Sequence, residues 1–557
     1  MPNETSPSMY ENLMQTLRRE EFQKKKSLLH FEGFTLNVKK FIAAVDKAAD
    51  MLNKLGISKG DVVAMNLPNT INAIVLFYSV NKLGAIASLV HPLLPVDAVN
   101  DIAKTVGAKL FITLDDYYEK NRAKIMQSNV RVLLCRISDY LPLWKKIIYK
   151  RKEPKRIENT LYYRELLKET EKASQLLSVY NDAAVYLHSA GTTGKAKTVI
   201  LSNNAMNSLS DSLLNIIPGV DVLRSKCIMV LPLFHGFGLG VCMHTMLAHG
   251  AEVIVVPKFN AQKFASSVGK YKATICAGVP IMFEKMYKLP QKKFSKLSCL
   301  ENIFVGGEKL SFSLKEKFDK RLKQINSKAE LLEGYGLTET VTVCCVNKPD
   351  DYSENCVGYP LDCVEIAVVN EQNEVQPFGT KGEICVTGAT LMNGYLDQAD
   401  NSRFIEIEKK KCSEAGAAPP YSTCEVSAIE RKRYLKTGDI GYQDEKGRVF
   451  FVDRIKRIIK INGITVFPNE IENAIKTLPF VSDCAAVYFE GRIKAFAEVG
   501  DVLLHTDETK QKITEVCRKK LIPYAIPKEL VLIRAFPRNQ VGKIDINKTM
   551  EMQEANL

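Results

Sequence analysis

The chain has 557 residues, of which 46% are hydrophobic and 25% are charged, a length and composition typical of a multidomain globular protein. No stretch has the roughly eighteen uninterrupted apolar residues that a membrane-spanning helix needs. Lysine and arginine number 77 against 63 for aspartate and glutamate, a balance that favours anionic partners. The 14 cysteines include no Cys-x-x-Cys pair, which favours reduced thiols over disulfides or zinc. The N-terminus has no basic segment followed by an apolar one, so we expect a cytoplasmic protein.

Helical and strand patterns alternate along the first half of the chain. Apolar residues at helical spacing predict an amphipathic helix over 36–55. Short apolar runs predict buried strands at 62–65, 86–90, 110–114, 228–231 and 253–256. Strands that alternate with helices indicate a parallel sheet covered by helices on both faces.

The pattern changes in the second half. The runs between 363 and 386 are short and partly alternating, which predicts a smaller antiparallel β unit. Residues 404–433 are polar with little pattern and are predicted to form a surface insertion. The region after Arg454, with a helix predicted near 509–521 and a strand at 529–533, is long enough for a separate α+β domain.

The strongest local motif begins at the end of a predicted strand and reads H-S-A-G-T-T-G-K-A-K over 188–197. Its glycines expose backbone N–H groups, and its hydroxyls and lysines can surround an oligophosphate. It is not a Walker loop, because Ala196 stands where Ser or Thr must hold magnesium. A flexible turn is the alternative interpretation. The candidate phosphate contacts are Ser189, Gly191, Thr192, Thr193, Gly194 and Lys197.

A second segment, E-G-Y-G-L-T-E-T over 333–340, places glycines beside an aromatic ring, a hydroxyl and a carboxylate. Glycines permit the close approach of backbone to a flat ligand, and Tyr335 offers a stacking face. Glu339 is a hard oxygen ligand suited to magnesium. The alternative is a turn with a capping carboxylate.

Two further segments lie towards the C-terminus. Asp439 follows K-T-G, and an aspartate is the usual acceptor for the two ribose hydroxyls of a nucleotide. Arg454 and Lys460 come later in the chain and are cations that could bind phosphate or the ribose. The alternative is a solvated basic strand at a sheet edge. Lys543 follows Gly542 near the end of the chain and by itself would be interpreted as a surface lysine.

In their order and spacing along the sequence, the four segments resemble the motifs of the adenylate-forming superfamily. This superfamily includes acyl-CoA synthetases, aryl-CoA ligases, luciferases and the adenylation domains of peptide synthetases. Two more segments carry the resemblance, P-L-F-H-G-F-G over 232–238 and V-G-G-E-K-L-S over 305–311, so that it covers nearly the whole chain. The family's activity would be the attack of a carboxylate on the α-phosphate of ATP, followed by displacement of AMP by a thiol.

The resemblance implies an α/β fold with three parts. Residues 1–453 would form a large N-terminal adenylation domain of two helix-flanked β-sheets and a small β-barrel-like unit. Residues 454–457 would be a hinge that contains Lys456. Residues 458–557 would form a smaller, mobile α+β lid.

The resemblance also assigns roles. Lys543, Thr338, Glu339 and His235 would serve catalysis or line the acyl pocket, with Glu339 holding Mg²⁺ beside the triphosphate. Tyr335 would stack on adenine, and Asp439 and Arg454 would bind the ribose side. The remaining implied contacts with the nucleotide are Gly306, Glu308, Glu333, Gly334 and Lys460, and Gly463 would border the CoA tunnel.

Three residues near the phosphate loop depart from the family pattern: Ala190 stands for Ser, Ala196 for Pro and Thr198 for Gly. Loss of the Ser hydroxyl removes one phosphate donor, and the other two changes should alter loop stiffness rather than chemistry. Because the residues with implied catalytic roles are all present, the resemblance favours an active enzyme over a non-catalytic nucleotide-binding homologue.

The identities of the acid substrate and of the thiol acceptor stay open. A medium- or long-chain fatty acid is the first expectation, with an aryl or bile-acid-like acid as the alternative. CoA is the expected thiol, and an acyl carrier protein is the alternative acceptor. The basic, aliphatic segment 141–156 is interpreted either as a solvated linker or as a peripheral contact with a membrane surface. No nucleic-acid motif is present, so nucleic acid is not expected as a partner.

Overall fold

The computed structural model describes residues 7–125, 130–150, 153–170, 182–189, 197–216, 220–412, 426–461, 464–538 and 544–554. The helices of the first half are α1 (Met9–Leu17), α2 (Glu20–Gln23), α3 (Val38–Lys54), α4 (Ile71–Lys82), α5 (Val96–Thr105), α6 (Asp115–Ile125), α7 (Leu143–Lys150), α8 (Tyr163–Glu169), α9 (Asn203–Ile216), α10 (Met246–Ala248) and α11 (Ala261–Tyr271). Those that follow are α12 (Pro280–Tyr287), α13 (Gln291–Phe294), α14 (Phe312–Gln324), α15 (Pro468–Lys476), α16 (Asp507–Lys520) and α17 (Ile546–Glu554).

The strands alternate with these helices and then follow one another more closely. The first strands are β1 (Leu29–Phe31), β2 (Phe34–Leu36), β3 (Val62–Asn66), β4 (Ile86–Leu89), β5 (Ala108–Leu114), β6 (Arg131–Cys135), β7 (Leu161–Tyr162), β8 (Ala183–Ser189), β9 (Lys197–Ser202), β10 (Lys226–Met229), β11 (Glu252–Val255), β12 (Ile275–Gly278), β13 (Asn302–Val305) and β14 (Leu331–Tyr335). The later ones are β15 (Cys345–Val346), β16 (Cys356–Pro360), β17 (Val364–Val369), β18 (Gly382–Gly388), β19 (Gly394–Tyr395), β20 (Phe404–Cys412), β21 (Val426–Gln443), β22 (Val449–Arg454), β23 (Ile459–Ile461), β24 (Ile464–Val466), β25 (Asp483–Phe489), β26 (Arg492–Glu498) and β27 (Glu529–Ile533).

The helix predicted over 36–55 is confirmed as α3. Asn37 caps its first turn by accepting the backbone N–H of Lys40 at 2.9 Å, and the apolar side chains at helical spacing, among them Phe41 and Val45, are buried. The five predicted strands are likewise confirmed as β3, β4, β5, β10 and β11, with ends within two residues of the prediction. β3 is buried along its whole length, as expected for a strand covered on both faces.

Two large sheets form the body of the protein. One has the strand order β19-β9-β8-β4-β3-β5-β6-β7, in which β8 and β9 are an antiparallel pair joined through residues 190–196. The other contains the parallel run β14-β13-β12-β10-β11-β1. One continuous hydrophobic core packs against both sheets.

The predicted antiparallel β unit extends the second sheet, because β15 and β16 connect β14 to β22, β21, β18 and β17. Residues 404–433 were predicted to form a surface insertion with little pattern. This prediction is wrong for the two ends of the range, because β20 and β21 pair there as a long antiparallel hairpin. The inner face of this hairpin buries Ile407 and Tyr434, and on its outer face Arg431 pairs with Glu408 across the strands. Sparse apolar residues were enough for a strand because only one face is buried. Residues 413–425 lie outside the described residues.

The chain after β22 has a separate hydrophobic core, formed among others by Ile471, Ile493 and Ile513. Its sheet has the order β25-β26-β27, with α15 and α16 packed nearby and β23 and β24 as a short hairpin. The predicted helix near 509–521 and the predicted strand at 529–533 are confirmed as α16 and β27. This part is therefore an α+β unit that buries its own apolar side chains, and the domain boundary at 454–457 stays a prediction.

Candidate active site

The candidate residues gather where parallel strands end. The segment 232–238 follows β10, the segment 305–311 follows β13, and the segment 333–340 begins inside β14. The carboxyl ends of parallel strands lie at one edge of a sheet, where a crevice between the following loops can bind a ligand. The strand order places β12, β13 and β14 side by side, so segments far apart in the sequence meet at this edge.

Glycines allow these segments to touch. A Cβ atom on Gly306 would lie 3.2 Å from the carbonyl oxygen of Gly334 and 3.2 Å from the ring of Phe237. A Cβ on Gly307 would lie 3.3 Å from Val279 in the loop after β12. A methyl group at either glycine would push these neighbours apart by a few tenths of an ångström, so the glycines allow the segments to pack closely.

The most constrained backbone of the site is at Val341. This β-branched residue has φ +63°, a conformation that L residues other than glycine, asparagine and aspartate rarely adopt, and its side chain is fully buried. Gly236 packs against the carbonyl group of Val341, leaving no space for a Cβ atom. The strained residue directly follows the turn Thr338–Thr340, so the packing that holds it also fixes the position of Glu339.

The carboxylate of Glu339 is buried and has two donors. The Tyr395 hydroxyl donates to it at 2.6 Å, and Nη1 of Arg403 lies 3.3 Å from the same oxygen. Nη1 of Arg403 also donates to the Tyr395 hydroxyl at 3.0 Å. The ammonium group of Lys197 lies 5.2 Å from the centre of the Tyr395 ring. The structure thus brings together the predicted metal ligand and the lysine that follows the phosphate loop.

Asp439 forms a second cluster. It is paired across β21 and β22 with Arg454, whose Nε lies 3.4 Å from one carboxylate oxygen, and the Tyr335 hydroxyl donates to the other at 2.7 Å. Burial raises the pKa of Asp439 above its usual range, and the charge of Arg454 opposes that shift. Tyr335, Asp439 and Arg454 therefore form one contiguous cluster, and their roles in nucleotide binding stay predictions.

Arg403 connects the two clusters. Its guanidinium donates to the carbonyl oxygens of Lys436 at 2.7 Å and Thr437 at 2.6 Å while it also contacts Glu339. These carbonyls lie in the turn that leads to Asp439. One arginine side chain thus fixes the distance between the predicted metal ligand and the predicted ribose acceptor.

Glu333 is buried beside the 305–311 segment. Its buried carboxylate accepts the backbone N–H of Leu310 at 2.8 Å, which fastens the 305–311 segment to β14. Burial raises the pKa of Glu333 to about 7, and burial lowers the pKa of the neighbouring Lys309 to about 8. Lys309 donates to the side chain of Asn355. This contact gives Glu333 a positioning role behind the crevice, and its contact with the nucleotide stays a prediction.

The other predicted residues that the structure describes lie at the crevice, on the connection to the C-terminal unit or at the β8–β9 hairpin. Thr338 and Glu308 are half-buried at the crevice, and His235 is exposed beside it. Lys456 and Lys460 are exposed on the connection to the C-terminal unit. Ser189 closes the β8–β9 hairpin, with its hydroxyl 3.4 Å from the carbonyl oxygen of Lys197. The predicted residues outside the described ranges are Gly191, Thr192, Thr193, Gly194, Gly463 and Lys543.

One departure from the family pattern has a structural explanation. The Thr198 hydroxyl lies 3.1 Å from Nδ1 of His188, and Nε2 of the same ring lies 2.9 Å from the Ser88 hydroxyl. Burial lowers the pKa of His188 to about 4, so the ring is neutral and one of its nitrogens accepts. The threonine in place of glycine is thus hydrogen-bonded between β8 and β9.

Several residues of the site were not predicted from the sequence. Tyr395 and Arg403 carried no recognisable signal, since a tyrosine after glycine and one cation among 77 are ordinary features. The connection to the C-terminal unit also has an unpredicted anchor, in which Arg457 donates to the buried Glu472 at 2.5 Å. Within the described ranges no group of three or more His, Cys, Asp or Glu side chains could hold a metal ion.

Comparisons with known proteins identify the family to which the chain belongs. A family model described as "AMP-binding enzyme" matches residues 17–396, and one described as "AMP-binding enzyme C-terminal domain" matches 470–543. A long-chain-fatty-acid–CoA ligase of Bacillus subtilis (strain 168) is 25% identical, covering 95% of this chain and 92% of that protein. A 4-coumarate–CoA ligase 1 of Petroselinum crispum is 28% identical, covering 89% and 85%.

A crystal structure of an anthranilate CoA ligase in complex with anthranoyl-AMP superposes on the chain with a TM-score of 0.80. The sequence identity is 19%, and the superposition covers 99% of this chain and 98% of that one. The superposition confirms the predicted α/β fold class, and the matches to the family models confirm the predicted resemblance.

We expect Gly236→Ala to lower the free energy of unfolding by about 2 kcal/mol, because the new methyl group overlaps the carbonyl of Val341 and the backbone must move. The shift would displace the turn that carries Glu339, so adenylation should fall as well. Thermal or denaturant unfolding measures the first effect. Gly500→Ala is the matched control, since a Cβ there meets no atom within 4 Å. Equal stability of the two variants would contradict the assigned packing.

Arg403→Gln is expected to raise the Kd for ATP about tenfold, because the turn that leads to Asp439 loses its charge-assisted hydrogen bonds. Isothermal titration with ATP measures the effect. Arg431→Gln removes a comparable but exposed arginine–glutamate pair and should leave the Kd unchanged. An unaltered Kd in Arg403→Gln would show that the guanidinium does not organise the nucleotide site.

Proposed function

Because this chain belongs to the AMP-binding enzyme family and is an AMP-forming acyl-CoA synthetase, we propose that its acid substrate is a medium- or long-chain fatty acid. ATP and CoA are the proposed co-substrates, with Mg²⁺ bound beside the triphosphate. The observation that carries the choice of acid is a cluster of entirely apolar side chains behind the segment 232–238, which encloses space for little more than one methyl group and would have to open to admit an acyl chain. The fatty-acid ligase among the relatives supports it, and the coumarate ligase keeps aryl acids as the alternative.

The cavity is lined by side chains from β3, β4, α4 and the loop after β10, among them Met65, Leu67, Phe77, Leu89, Leu233 and Phe234. Phe234 faces this cavity, whereas the next residue, His235, is exposed at the crevice. An alkyl chain attached to a carboxylate at the crevice would therefore meet aliphatic surroundings as these side chains move apart to admit it. A phenolic or amino group on an aryl acid would find no hydrogen-bonding partner among these lining side chains.

The donor set around the crevice fits the proposed chemistry. Mg²⁺ is commonly held by one or two carboxylates together with substrate phosphates, and Glu339 supplies one buried carboxylate. When bound, the ion would offset the charge of the triphosphate. Lys197 would hold the β- and γ-phosphates, and Thr338 would donate to the α-phosphate. Asp439 would accept the ribose hydroxyls, which fixes the nucleotide relative to the acid.

Negative charge grows on the α-phosphate oxygens as the carboxylate attacks, so a cation is required there in the transition state. Lys543 is the proposed cation. After pyrophosphate leaves, the thiolate of CoA attacks the acyl carbon, the bond to the phosphate oxygen breaks, and AMP departs with the electron pair. The C-terminal unit, which has its own core, would move between the two steps about the connection that contains Lys456.

Pyrophosphate release with ATP and magnesium, measured across fatty, aryl and steroid acids with and without CoA, tests the proposal. We expect release with fatty acids, an increase with CoA, and a loss of at least about a hundredfold in Lys543→Ala. Lys548→Ala, an exposed lysine on α17, is the control and should keep full activity. Turnover of aryl acids alone would overturn the acid class, and no release with any acid would favour the non-catalytic homologue.

Ala73→Leu is expected to change the chain-length preference, because Ala73 lines the cavity and a larger side chain would fill it. The ratio of kcat/KM for a long-chain acid to that for a short-chain acid should fall at least about tenfold. This ratio is insensitive to the fraction of folded enzyme. Ala103→Leu places the same side chain at a buried helical position in a different apolar cluster and should leave the ratio unchanged. An unaltered ratio in Ala73→Leu would separate the cavity from acyl binding.

A further inference from the structure

The short helix α7 exposes its apolar side chains. The exposed fractions are 81% for Leu143, 61% for Trp144, 64% for Ile147 and 53% for Ile148. Within the described ranges, this places four large apolar residues at the surface along little more than one helical turn. Contiguous exposed apolar surface of this kind marks an interaction site.

The exposed residues share one face. At about 100° per residue, positions 143, 147, 144 and 148 follow one another around less than half of the helix. The cations Lys145 and Lys146 lie on the other side and are half-buried, and Lys145 contacts Glu32 beside β1 at 2.5 Å. In α3 the apolar face is buried against the core. The helix α7 is inverted in this respect, because its apolar face is exposed to solvent.

The charges around this face identify its partner. Between 145 and 156 the sequence contains Lys145, Lys146, Lys150, Arg151, Lys152, Lys155 and Arg156 against the single acid Glu153. The convex apolar face lies in this basic stretch of the sequence and combines a tryptophan with aliphatic side chains. Tryptophan is enriched where apolar and aqueous phases meet, and clustered cations attract anionic lipid headgroups. No described helix is long and apolar enough to cross a membrane, so α7 would lie in the plane of the surface.

We propose that α7 docks the protein on an anionic lipid bilayer, with Leu143, Trp144, Ile147 and Ile148 inserted at the level of the headgroups. Exposed cations in the described part of this segment, such as Lys155, stay in water and contact lipid phosphates. This surface attachment is independent of the proposed acid, because it depends on the helix face and its charges alone.

Trp144 is the single tryptophan of the chain, so its fluorescence reports directly on this face. With vesicles of phosphatidylcholine and phosphatidylglycerol, we expect a blue shift of the emission and sedimentation of the protein with the lipid. Pure phosphatidylcholine vesicles should bind it at least about tenfold more weakly, and added salt should release it. No blue shift and no sedimentation with the anionic vesicles would overturn the proposal.

The double variant Ile147→Ser/Ile148→Ser keeps the tryptophan and removes half of the apolar face. It should bind anionic vesicles at least about tenfold more weakly. Val502→Ser/Leu503→Ser is the matched control, since these residues are 58% and 86% exposed but lie between Asp501 and Asp507. The control should bind vesicles as the original chain does, and both variants should keep pyrophosphate release with a water-soluble medium-chain acid.

Two further results would overturn the proposal. Equal loss of vesicle binding in both double variants would show that general surface hydrophobicity drives sedimentation. The second result would come from sedimentation velocity, which measures whether the protein is a monomer or a dimer. A dimer that Ile147→Ser/Ile148→Ser dissociates, together with unchanged tryptophan emission on addition of vesicles, would identify the face as a contact between two copies of the chain.

Discussion

The placement of the Glu339 carboxylate depends on a strained backbone at Val341, and much of the candidate site is arranged around that carboxylate. Gly236 gives the strained residue its space, and Tyr395 and Arg403 hold the side chain itself. A strained backbone conformation of this kind persists only when several surrounding contacts hold it in place. The surrounding contacts come from separate segments, which explains why the crevice requires the completed N-terminal sheets.

The separate core of the C-terminal unit bears on how catalysis can proceed. Its apolar side chains pack among themselves, and its connection to the rest of the chain includes ionic contacts such as Arg457 with Glu472. A unit that does not depend on the larger core for its stability can change orientation without unfolding. This arrangement suits a two-step reaction in which a lysine must approach the α-phosphate first and a thiol must approach the acyl carbon second.

The apolar cavity and the inverted helix α7 are consistent with one kind of substrate. An acid whose chain fits an aliphatic cavity partitions into lipid, and a protein docked on an anionic surface would meet that acid at its highest concentration. The two features lie in different parts of the N-terminal region and have different physical origins. One is enclosed between β3, β4 and α4, whereas the other is a convex face that the fold leaves uncovered.

The sequence by itself determined the alternation of strands and helices, the family resemblance and candidate residues such as Asp439 and Glu339, because each depends on the pattern of neighbouring residues. Only the tertiary structure decided that Arg403 joins Glu339 to the turn before Asp439, that Glu333 anchors Leu310, and that 404–433 begins and ends in paired strands. These are contacts between distant segments, and no local pattern encodes them. The orientation of α7 is of the same kind, since helical spacing shows that an apolar face exists while packing alone decides whether it turns inward or towards the solvent.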